Sequence, residues 1–333
     1  MDKAVHADNS SRKGWFLNSP WLRHESLLLL ILVLEWLYFN SVGPRFGTLE
    51  NTYDILRHSS EIGLLALALT PVILTGGIDL SVGSLLGLCA ILFGKLWRDA
   101  HLPVWEAAAA ALGFGAAGGA VNAWFITKLR LPPLIVTLGT LSLFRGLAEA
   151  VTHGVDTFTG FPGSFLALGQ GQIFGLPAQL PLLFVGAVVI WLMVHSTVLG
   201  RSWRAIGFAA EGARYAGIPV GRRVALVYVL AGIISGLAAV IYTARLGQAK
   251  ADAGTGYELF AITAVVLGGT SIFGGIGSVH GTLLGVAAIA VLSNGLVHAR
   301  QPREVAGMLT GALLLIALAA SVLAKNLANN RRR

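Results

Sequence analysis

The sequence predicts an all-α protein, a polytopic transmembrane helical bundle of about ten spans. The chain has 333 residues, of which 55% are hydrophobic and 12% are charged, against roughly 25% charged residues in soluble domains. Its mean hydropathy is +0.73. The apolar residues fall in runs of about 15 to 25, the length that crosses a hydrocarbon core roughly 30 Å thick. Little polar sequence remains to cover a soluble surface.

The apolar runs define the order of the elements. The first run follows a polar, basic tail (1–25) and lacks a signal-peptide cleavage site, so it is expected to be retained as a span. Short or glycine-interrupted runs occur second, third and eighth, and each is a candidate re-entrant segment. The expected spans are 26–42, 62–77, 82–97, 104–127, 132–150, 180–195, 223–243, 258–274, 278–297 and 305–323. They form a membrane domain over 26–323, followed by a basic tail (324–333).

The distribution of basic residues predicts the orientation. If ten spans alternate from a cytoplasmic N-terminus, fifteen of the 24 Lys and Arg residues lie inside, in four segments, and nine lie outside, scattered. Basic residues near span ends resist translocation, so both termini are expected to be cytoplasmic. The net charge of +8 is therefore expected to face membrane lipid, and no nucleic-acid partner is expected. The single cysteine, Cys89, excludes an internal disulfide.

Glycines recur at a spacing of four, which aligns small residues on one helix face and allows close helix packing in lipid. The sets are Gly83 and Gly87, Gly115 and Gly119, Gly232 and Gly236, Gly277 with Gly281 and Gly285, and Gly307 and Gly311. Two glycine-rich strings, GGIDLSVGSLLG (76–87) and GGIGSVHGTLLG (274–285), also resemble each other. Paired interrupted segments indicate a transport site at a repeat interface; chance similarity of glycine-rich strings is the alternative.

Asp79 is the most informative single residue. It lies between two apolar runs in LTGGIDLSVGS, with Ser81 following. A carboxylate at membrane depth costs ~2.5–3.5 kcal/mol on insertion scales, so it normally faces a cavity or a partner. Glycines before it permit a helix break, and Asp79 and Ser81 suit the N-cap of the next helix. Asp79 is therefore expected either to cap a bent helix start or to contact solute.

The longest cytoplasmic segment (196–222) is basic and contains a stretch, 208–217, with small residues around Glu211. Pro219 ends that stretch, which predicts a short amphipathic helix. A compact helix with a small-residue face suits docking into a groove of another protein, although an ordinary positive-inside loop explains the charge equally well.

Four motifs in order carry a family resemblance: TGGIDLSVGS, GAVNAWFITKLRLPPLIVTLGTL (119–141), the segment around Glu211, and GYELFAITAVVLGGTSIFGGIGSVHGTLLG (256–285). Together they resemble the inner-membrane permease of bacterial monosaccharide ABC importers, of the ribose, xylose, galactoside, rhamnose and autoinducer-2 branch. This branch is related to branched-chain amino-acid permeases. The chain departs from the family at Phe208-Ala209, where Gly-Asn is frequent.

The resemblance implies import of a monosaccharide or sugar-like solute across the bacterial inner membrane, with no cofactor and no metal. Implied partners are ATP-binding-cassette ATPase subunits, a second permease copy or paralogue, and a periplasmic sugar-binding protein. The ATPase-coupling loop corresponds to Glu211, Gly212, Ala213 and Gly217. A weakly polar translocation path or helix break is expected at Asp79, Ser81, Asn122, Thr137 and Asn294.

Two other function classes fit the sequence less well. An ATP-hydrolysing enzyme is disfavoured because Gly94-Lys95 is followed by Leu96, not by Ser or Thr. Ser271, with His280 and His298 further along the chain, is a weak hint of an intramembrane serine protease. Nothing in the sequence indicates that the serine meets either histidine, so no catalytic residue is expected. A secondary, ion-coupled transporter is the main alternative, but it normally needs several intramembrane carboxylates.

Overall fold

The computed structural model describes residues 20–330, and most of this stretch is helical. The all-α prediction is confirmed. The helices are α1 (Pro20–Val42), α2 (Leu49–Leu74), α3 (Val82–Arg98), α4 (Val104–Thr127), α5 (Pro133–Val151), α6 (Gly163–Gln170), α7 (Leu180–Trp191), α8 (Val198–Phe208), α9 (Ala210–Tyr215), α10 (Val220–Leu246), α11 (Tyr257–Leu267), α12 (Val279–His298) and α13 (Arg303–Asn330). A short hairpin of two strands with two residues each, β1 (Gln172–Ile173) and β2 (Leu176–Pro177), precedes α7. A π-helical turn (Leu192–Ser196) follows α7.

Within the described residues, five helices are each long and apolar enough to cross a membrane: α1 (from Glu25), α4, α5, α10 and α12. A sixth candidate is α7 with its π-turn together with α8, which bends by 67° at the junction. The other expected spans correspond to α2, α3, α11 and α13. The helix α3 has only 17 residues and α11 only 11. The protein is thus polytopic, and the count of ten spans stays a prediction.

Several helices begin or end away from the expected span boundaries. Helix α2 begins at Leu49, not at 62, because Thr48 accepts a hydrogen bond from the Asn51 N–H and starts the helix in polar sequence. Helix α11 ends at Leu267, before the expected 274, where a glycine-rich turn follows. Helix α1 begins at Pro20, six residues early, and residues 1–19 of the expected tail lie outside the described part. At the other end, α13 continues through the expected tail to Asn330, and 331–333 are outside the described part.

The segment expected as a coupling loop, 196–222, is mostly helical. It contains all of α8 and α9, and it ends within the first turn of α10. Thr197 caps α8 by accepting a hydrogen bond from the Leu199 N–H at 3.1 Å. Trp203 of α8 is fully buried and donates to the Arg223 carbonyl of α10 at 3.1 Å. This segment is therefore fixed to the bundle before it reaches α9.

The centre of the bundle is the crossing of α4 and α10, where two glycine pairs face each other. A Cβ at Gly115 would lie 2.2 Å from the Gly232 carbonyl oxygen, and a Cβ at Gly119 would lie 2.3 Å from the Tyr228 oxygen. Gly236 similarly meets the backbone of Ala111 at 2.6 Å. The two backbones can approach this closely only because no side chain intervenes. The predicted packing role of these glycines is confirmed.

Other glycine sets differ in what they meet. Gly83 and Gly87 lie against the backbone of Gly254 and Ala253, and Gly285 lies against Ala264 of α11. Around Gly307 and Gly311 no atom lies within 4 Å of an added Cβ. The face of α13 that carries this last pair is therefore open within the chain, contrary to the prediction of close packing.

The two similar glycine strings meet each other. Gly76, between α2 and α3, and Gly274, between α11 and α12, both have positive φ, +81° and +84°. A Cβ at Gly274 would lie 2.8 Å from the Gly76 nitrogen, and the Gly275 N–H donates to the Leu74 carbonyl at 2.9 Å. The repeat interpretation stays a prediction, but the two breaks are in direct contact.

Candidate translocation site and coupling segment

Asp79 lies in the extended break between α2 and α3 and is 2% exposed. Its Oδ1 atom accepts two hydrogen bonds from Ser81, one from the backbone N–H at 2.8 Å and one from the hydroxyl at 2.6 Å. Ser81 is the N-cap residue of α3 but makes no side-chain capping bond itself. The carboxylate thus closes a turn two residues ahead of the helix, as in an Asx-turn, and does not cap the first helical turn directly.

A hydrogen-bonded chain extends from this carboxylate across three helices. The Asn122 amide of α4 donates to the Ser81 hydroxyl at 2.8 Å, and the Thr140 hydroxyl of α5 donates to the Asn122 oxygen at 2.7 Å. Each oxygen in the chain has a role consistent with its neighbours, because Ser81 both donates to Asp79 and accepts from Asn122. We call Asp79, Ser81, Asn122 and Thr140 the break network. It ties the break to α4 and α5.

Thr137 supports the same break. Its hydroxyl is buried and donates a hydrogen bond to the Ile78 carbonyl at 3.2 Å. The structure therefore brings together four of the five residues predicted for the path, namely Asp79, Ser81, Asn122 and Thr137. All four are at most 2% exposed. In this conformation they bond to protein groups instead of lining open space.

The fifth predicted path residue, Asn294, lies elsewhere. It belongs to α12 and pairs with Asn51 near the start of α2 through two amide hydrogen bonds, each 2.9 Å long. Asn51 also donates to the Phe46 carbonyl at 2.8 Å. This reciprocal pair fixes α2 to α12 beside the aromatic cluster of Phe39 and Phe46, and it has no contact with the break network.

The predicted amphipathic helix is observed as α9, but it is shorter, Ala210–Tyr215, than the expected 208–217. Glu211 is exposed and pairs with Arg214 at 2.9 Å. Gly212 has open space beyond the Ala209 methyl group, whereas Ala213 is buried against its own chain. Gly217 has a φ of +79°, which glycine adopts without strain, and it turns the chain towards Pro219.

Exposed side chains complete the outer face of this segment. Tyr215 is 89% exposed and Phe208 is 67% exposed. Large aromatic groups on a rigid helix are the residue types that anchor protein–protein contacts. With Glu211 and Gly212, they form a surface suited to a partner, which we call the α9 face.

The end of α8 connects the α9 face to the two breaks. A Cβ at Gly207 would lie 2.1 Å from the Leu74 carbonyl and 2.3 Å from the Gly275 nitrogen. The Phe208 ring packs on Gly275, whose added Cβ would be 2.8 Å from the ring. A displacement of α9 would therefore act on both breaks through backbone contacts, with no flexible side chain between Gly207 and either break.

A buried ion pair was missed by the sequence analysis. Glu61 of α2 is fully buried and accepts from the Arg245 Nε atom of α10 at 2.7 Å. Among the described residues, the second Glu61 oxygen has no hydrogen-bond partner. Glu61 comes directly before the apolar run of the second expected span, so hydropathy alone does not indicate that it is buried.

The protease hint is not supported by the geometry. His280 accepts a hydrogen bond from the Trp191 indole at 2.8 Å, and His298 lies 3.1 Å from the Pro44 carbonyl. The Ser271 hydroxyl accepts from the Phe273 N–H. Over the described residues, no group of three or more His, Cys, Asp or Glu side chains could hold a metal ion.

Comparison with known proteins decides the family. The profile of the family described as "Branched-chain amino acid transport system / permease component" matches residues 51–318. The chain belongs to this permease family. The autoinducer 2 import system permease protein LsrD of Photorhabdus laumondii is 40% identical over 315 residues, covering 92% of this chain and 91% of the relative. Its counterpart in Escherichia coli K12 is 38% identical over 310 residues, with the same coverage. No solved structure matches the chain.

Family membership confirms the resemblance and replaces the ion-coupled transporter alternative. The permease is the membrane subunit of an ABC importer, a multi-pass protein of the inner membrane, and not an enzyme. ATP hydrolysis belongs to an ATPase subunit, and a substrate-binding protein delivers the solute. The apolar helices are what such a membrane subunit requires.

Proposed function

We propose that this permease imports autoinducer 2 or a closely similar sugar-like solute. The observation that carries the proposal is the 40% identity to an autoinducer 2 import permease over 92% of the chain. A branched-chain amino acid presents two charged groups that need fixed partners, whereas the Asp79 carboxylate at the break already bonds within the chain.

The solute class is tested in bacteria from which the gene for this chain has been deleted. Uptake of labelled autoinducer 2, ribose and leucine is measured with and without the restored gene. We expect autoinducer 2 uptake, or ribose uptake, to depend on the chain and leucine uptake to be independent of it. Dependence of leucine uptake alone would contradict the proposal.

The proposed assembly contains two permease subunits, either two copies of this chain or this chain and a paralogue, with two ATPase subunits below them. A periplasmic sugar-binding protein would dock from the other side. Transport would proceed by alternating access: the ATPase subunits move the α9 faces, and the end of α8 passes this motion to the two breaks. Glu211, Gly212 and Gly217 would meet the ATPase, while the buried Ala213 would hold α9 on its own chain.

For Asp79 we propose a structural role, namely holding the break in shape, with Ser81, Asn122 and Thr137 as its supports. This role is supported by the complete burial of the group and by hydrogen bonds within the chain. The path would open beside the break when the breaks separate. Asn294 would fix α2 to α12 at a distance from the path.

Both termini are proposed to be cytoplasmic. Residues 151–179, which include Val155, would then be periplasmic, and α9 would be cytoplasmic. Val155 is 82% exposed and Tyr215 is 89% exposed, so each suits cysteine labelling, and the native Cys89 is buried. Val155→Cys should react with an impermeant thiol reagent in whole cells, whereas Tyr215→Cys should react only after the membrane is opened. The reverse pattern would overturn the orientation.

A further inference from the structure

Two adjoining cavities lie beside α9, between the end of α4 and the start of α10. The first has a volume of about 370 Å³ and reaches inwards to Gly77 and Tyr228. The second has a volume of about 400 Å³ and is bounded by the turn from Ile218 to Gly221. Both are lined by Thr127, Arg214, Val220 and Gly221, so they adjoin, and we call them together the basic groove.

The groove is strongly cationic. Its lining includes Lys128, Arg130, Arg214 and Arg222, and no acidic side chain belongs to either lining set. Arg214 is paired with Glu211, which lies outside the lining. Within residues 20–330, the ion pairs and side-chain hydrogen bonds leave Lys128, Arg130 and Arg222 without an acceptor. Three cationic side chains without an internal acceptor around one groove favour the binding of an anion.

Arg130 is placed towards the groove at a conformational cost. It has a φ of +57°, the left-handed conformation that an arginine adopts only with backbone strain. The reason is the end of α4: the Leu131 N–H donates to the Phe125 carbonyl at 3.2 Å, a closure in which glycine usually occupies the left-handed position. Glycine here would fold at least as well but would remove the guanidinium.

The inner end of the groove is closed by a tyrosine and a glycine. The Tyr228 side chain is fully buried, and within the described residues its hydroxyl has no hydrogen-bond partner. The hydroxyl lies against Gly77, where an added Cβ would be 2.4 Å from it. Tyr228 and Gly77 both line the first cavity, so this buried hydroxyl lies close to its inner end.

Exposed apolar side chains surround the basic rim. Trp124 is 52% exposed, Leu129 is 49% exposed, and Leu131, which lines the groove, is 41% exposed. Tryptophan next to lysine and arginine is typical of the membrane–water interface. A ligand of this groove would therefore meet cations at its head and apolar surface along its tail.

We propose that the basic groove binds the phosphate headgroup of an anionic phospholipid, such as phosphatidylglycerol. Basic pockets between transmembrane helices recognise anionic headgroups in this way, and each cation near the surface contributes about 1 kcal/mol, or roughly fivefold in affinity. The acyl chains lie along Trp124 and Leu131. A soluble phosphate ester shares the headgroup chemistry but lacks contact with this apolar rim.

The test is the selectivity for spin-labelled lipids of the full-length chain in phosphatidylcholine vesicles. Wild-type protein should bind phosphatidylglycerol in preference to phosphatidylcholine, and Arg130→Gly with Lys128→Gln should reduce that preference about 25-fold, two fivefold steps. Arg300→Gly is the matched control, because Arg300 also follows a helix end at a φ of +57° but does not line the groove. It should keep the full preference.

The melting temperature of each variant shows whether it is folded. Equal preference for the two lipids in wild-type protein, or an unchanged preference in the folded double variant, would overturn the proposal. Glycerol phosphate at millimolar concentration should not displace the lipid. If it does, the site takes soluble phosphate esters and the assignment to lipid is wrong.

Discussion

Replacing Asp79 by asparagine or by leucine separates a structural role of the carboxylate from a role in binding solute. Asparagine keeps a carbonyl oxygen where Oδ1 accepts the two Ser81 hydrogen bonds, 2.8 and 2.6 Å long. Leucine has a similar size but no acceptor. If the break network holds the break in shape, the first variant should behave like wild type and the second should not.

The sizes of the two effects follow from burial. In Asp79→Leu, the Ser81 N–H and hydroxyl lose their acceptor in a site that is 2% exposed, and an unsatisfied buried donor costs about 1–3 kcal/mol. We therefore expect a loss of roughly 2–6 kcal/mol. In Asp79→Asn, two charge-assisted bonds become neutral ones, each weaker by about 1 kcal/mol. The lower cost of burying an amide offsets this loss, since a buried ion is penalised by several kcal/mol.

The assay measures folded protein and transport in parallel. Thermal melting of the purified chain, followed by size-exclusion chromatography, reports stability, and uptake by cells reports function. Asp79→Asn should melt near the wild-type temperature and keep most of its uptake, while Asp79→Leu should yield little folded protein. Asp99→Asn, at an exposed carboxylate paired with Lys95 and Arg98, is the surface control. A well-folded Asp79→Asn without uptake would refute the structural role, because the charge itself would then be required.

Two further substitutions test the packing of the bundle. In Gly232→Ala, the new methyl would lie 2.1 Å from the Gly115 oxygen, so separation of α4 and α10 should cost roughly 1–3 kcal/mol and lower the yield of folded permease. Gly307→Ala, with nothing within 4 Å, should leave the yield unchanged, and equal yields of both variants would contradict the close crossing. Glu61→Leu leaves Arg245 buried without its partner and should destabilise the chain by about 3–5 kcal/mol. Adding Arg245→Met should restore much of this stability in thermal melts; no recovery would mean that the pair is not coupled.

Hydropathy predicted those helices whose ends coincide with a change from apolar to polar sequence. The expected 104–127 and 82–97 correspond to α4, Val104–Thr127, and α3, Val82–Arg98. It failed for α2, whose first half is polar yet helical, because other parts of the fold bury Asn51 and Glu61. Local sequence does not report that burial.

The candidate site was predictable as residue types but not as an arrangement. Asp79 and Ser81 are two residues apart, so their turn could be anticipated from the sequence. Asn122 joins them over a separation of 41 residues, and Arg245 meets Glu61 over 184. Asn294 was assigned to the same site because of its polarity, whereas its partner is Asn51. Contacts between distant helices depend on the crossing geometry, which a single sequence does not encode in any local pattern.

Of the two glycines assigned to ATPase coupling, Gly212 is the better position for a bulky substitution. A bulky residue at Gly217 would force a side chain into the left-handed conformation and would strain the turn even without a partner. Gly212 has open space beside it and carries no such constraint. The substitution Gly212→Trp therefore adds bulk to the α9 face with the least disturbance of the chain itself.

The most direct measurement is ATP-driven uptake by vesicles that contain the permease, its ATPase and a loaded binding protein, compared between wild type and Gly212→Trp. If the α9 face docks on the ATPase, the added bulk should weaken association by roughly 1–3 kcal/mol, or about 5- to 150-fold. The variant should then reach normal membrane abundance but lose both bound ATPase and uptake. Normal ATP-driven uptake by Gly212→Trp would show that α9 does not couple the permease to its ATPase.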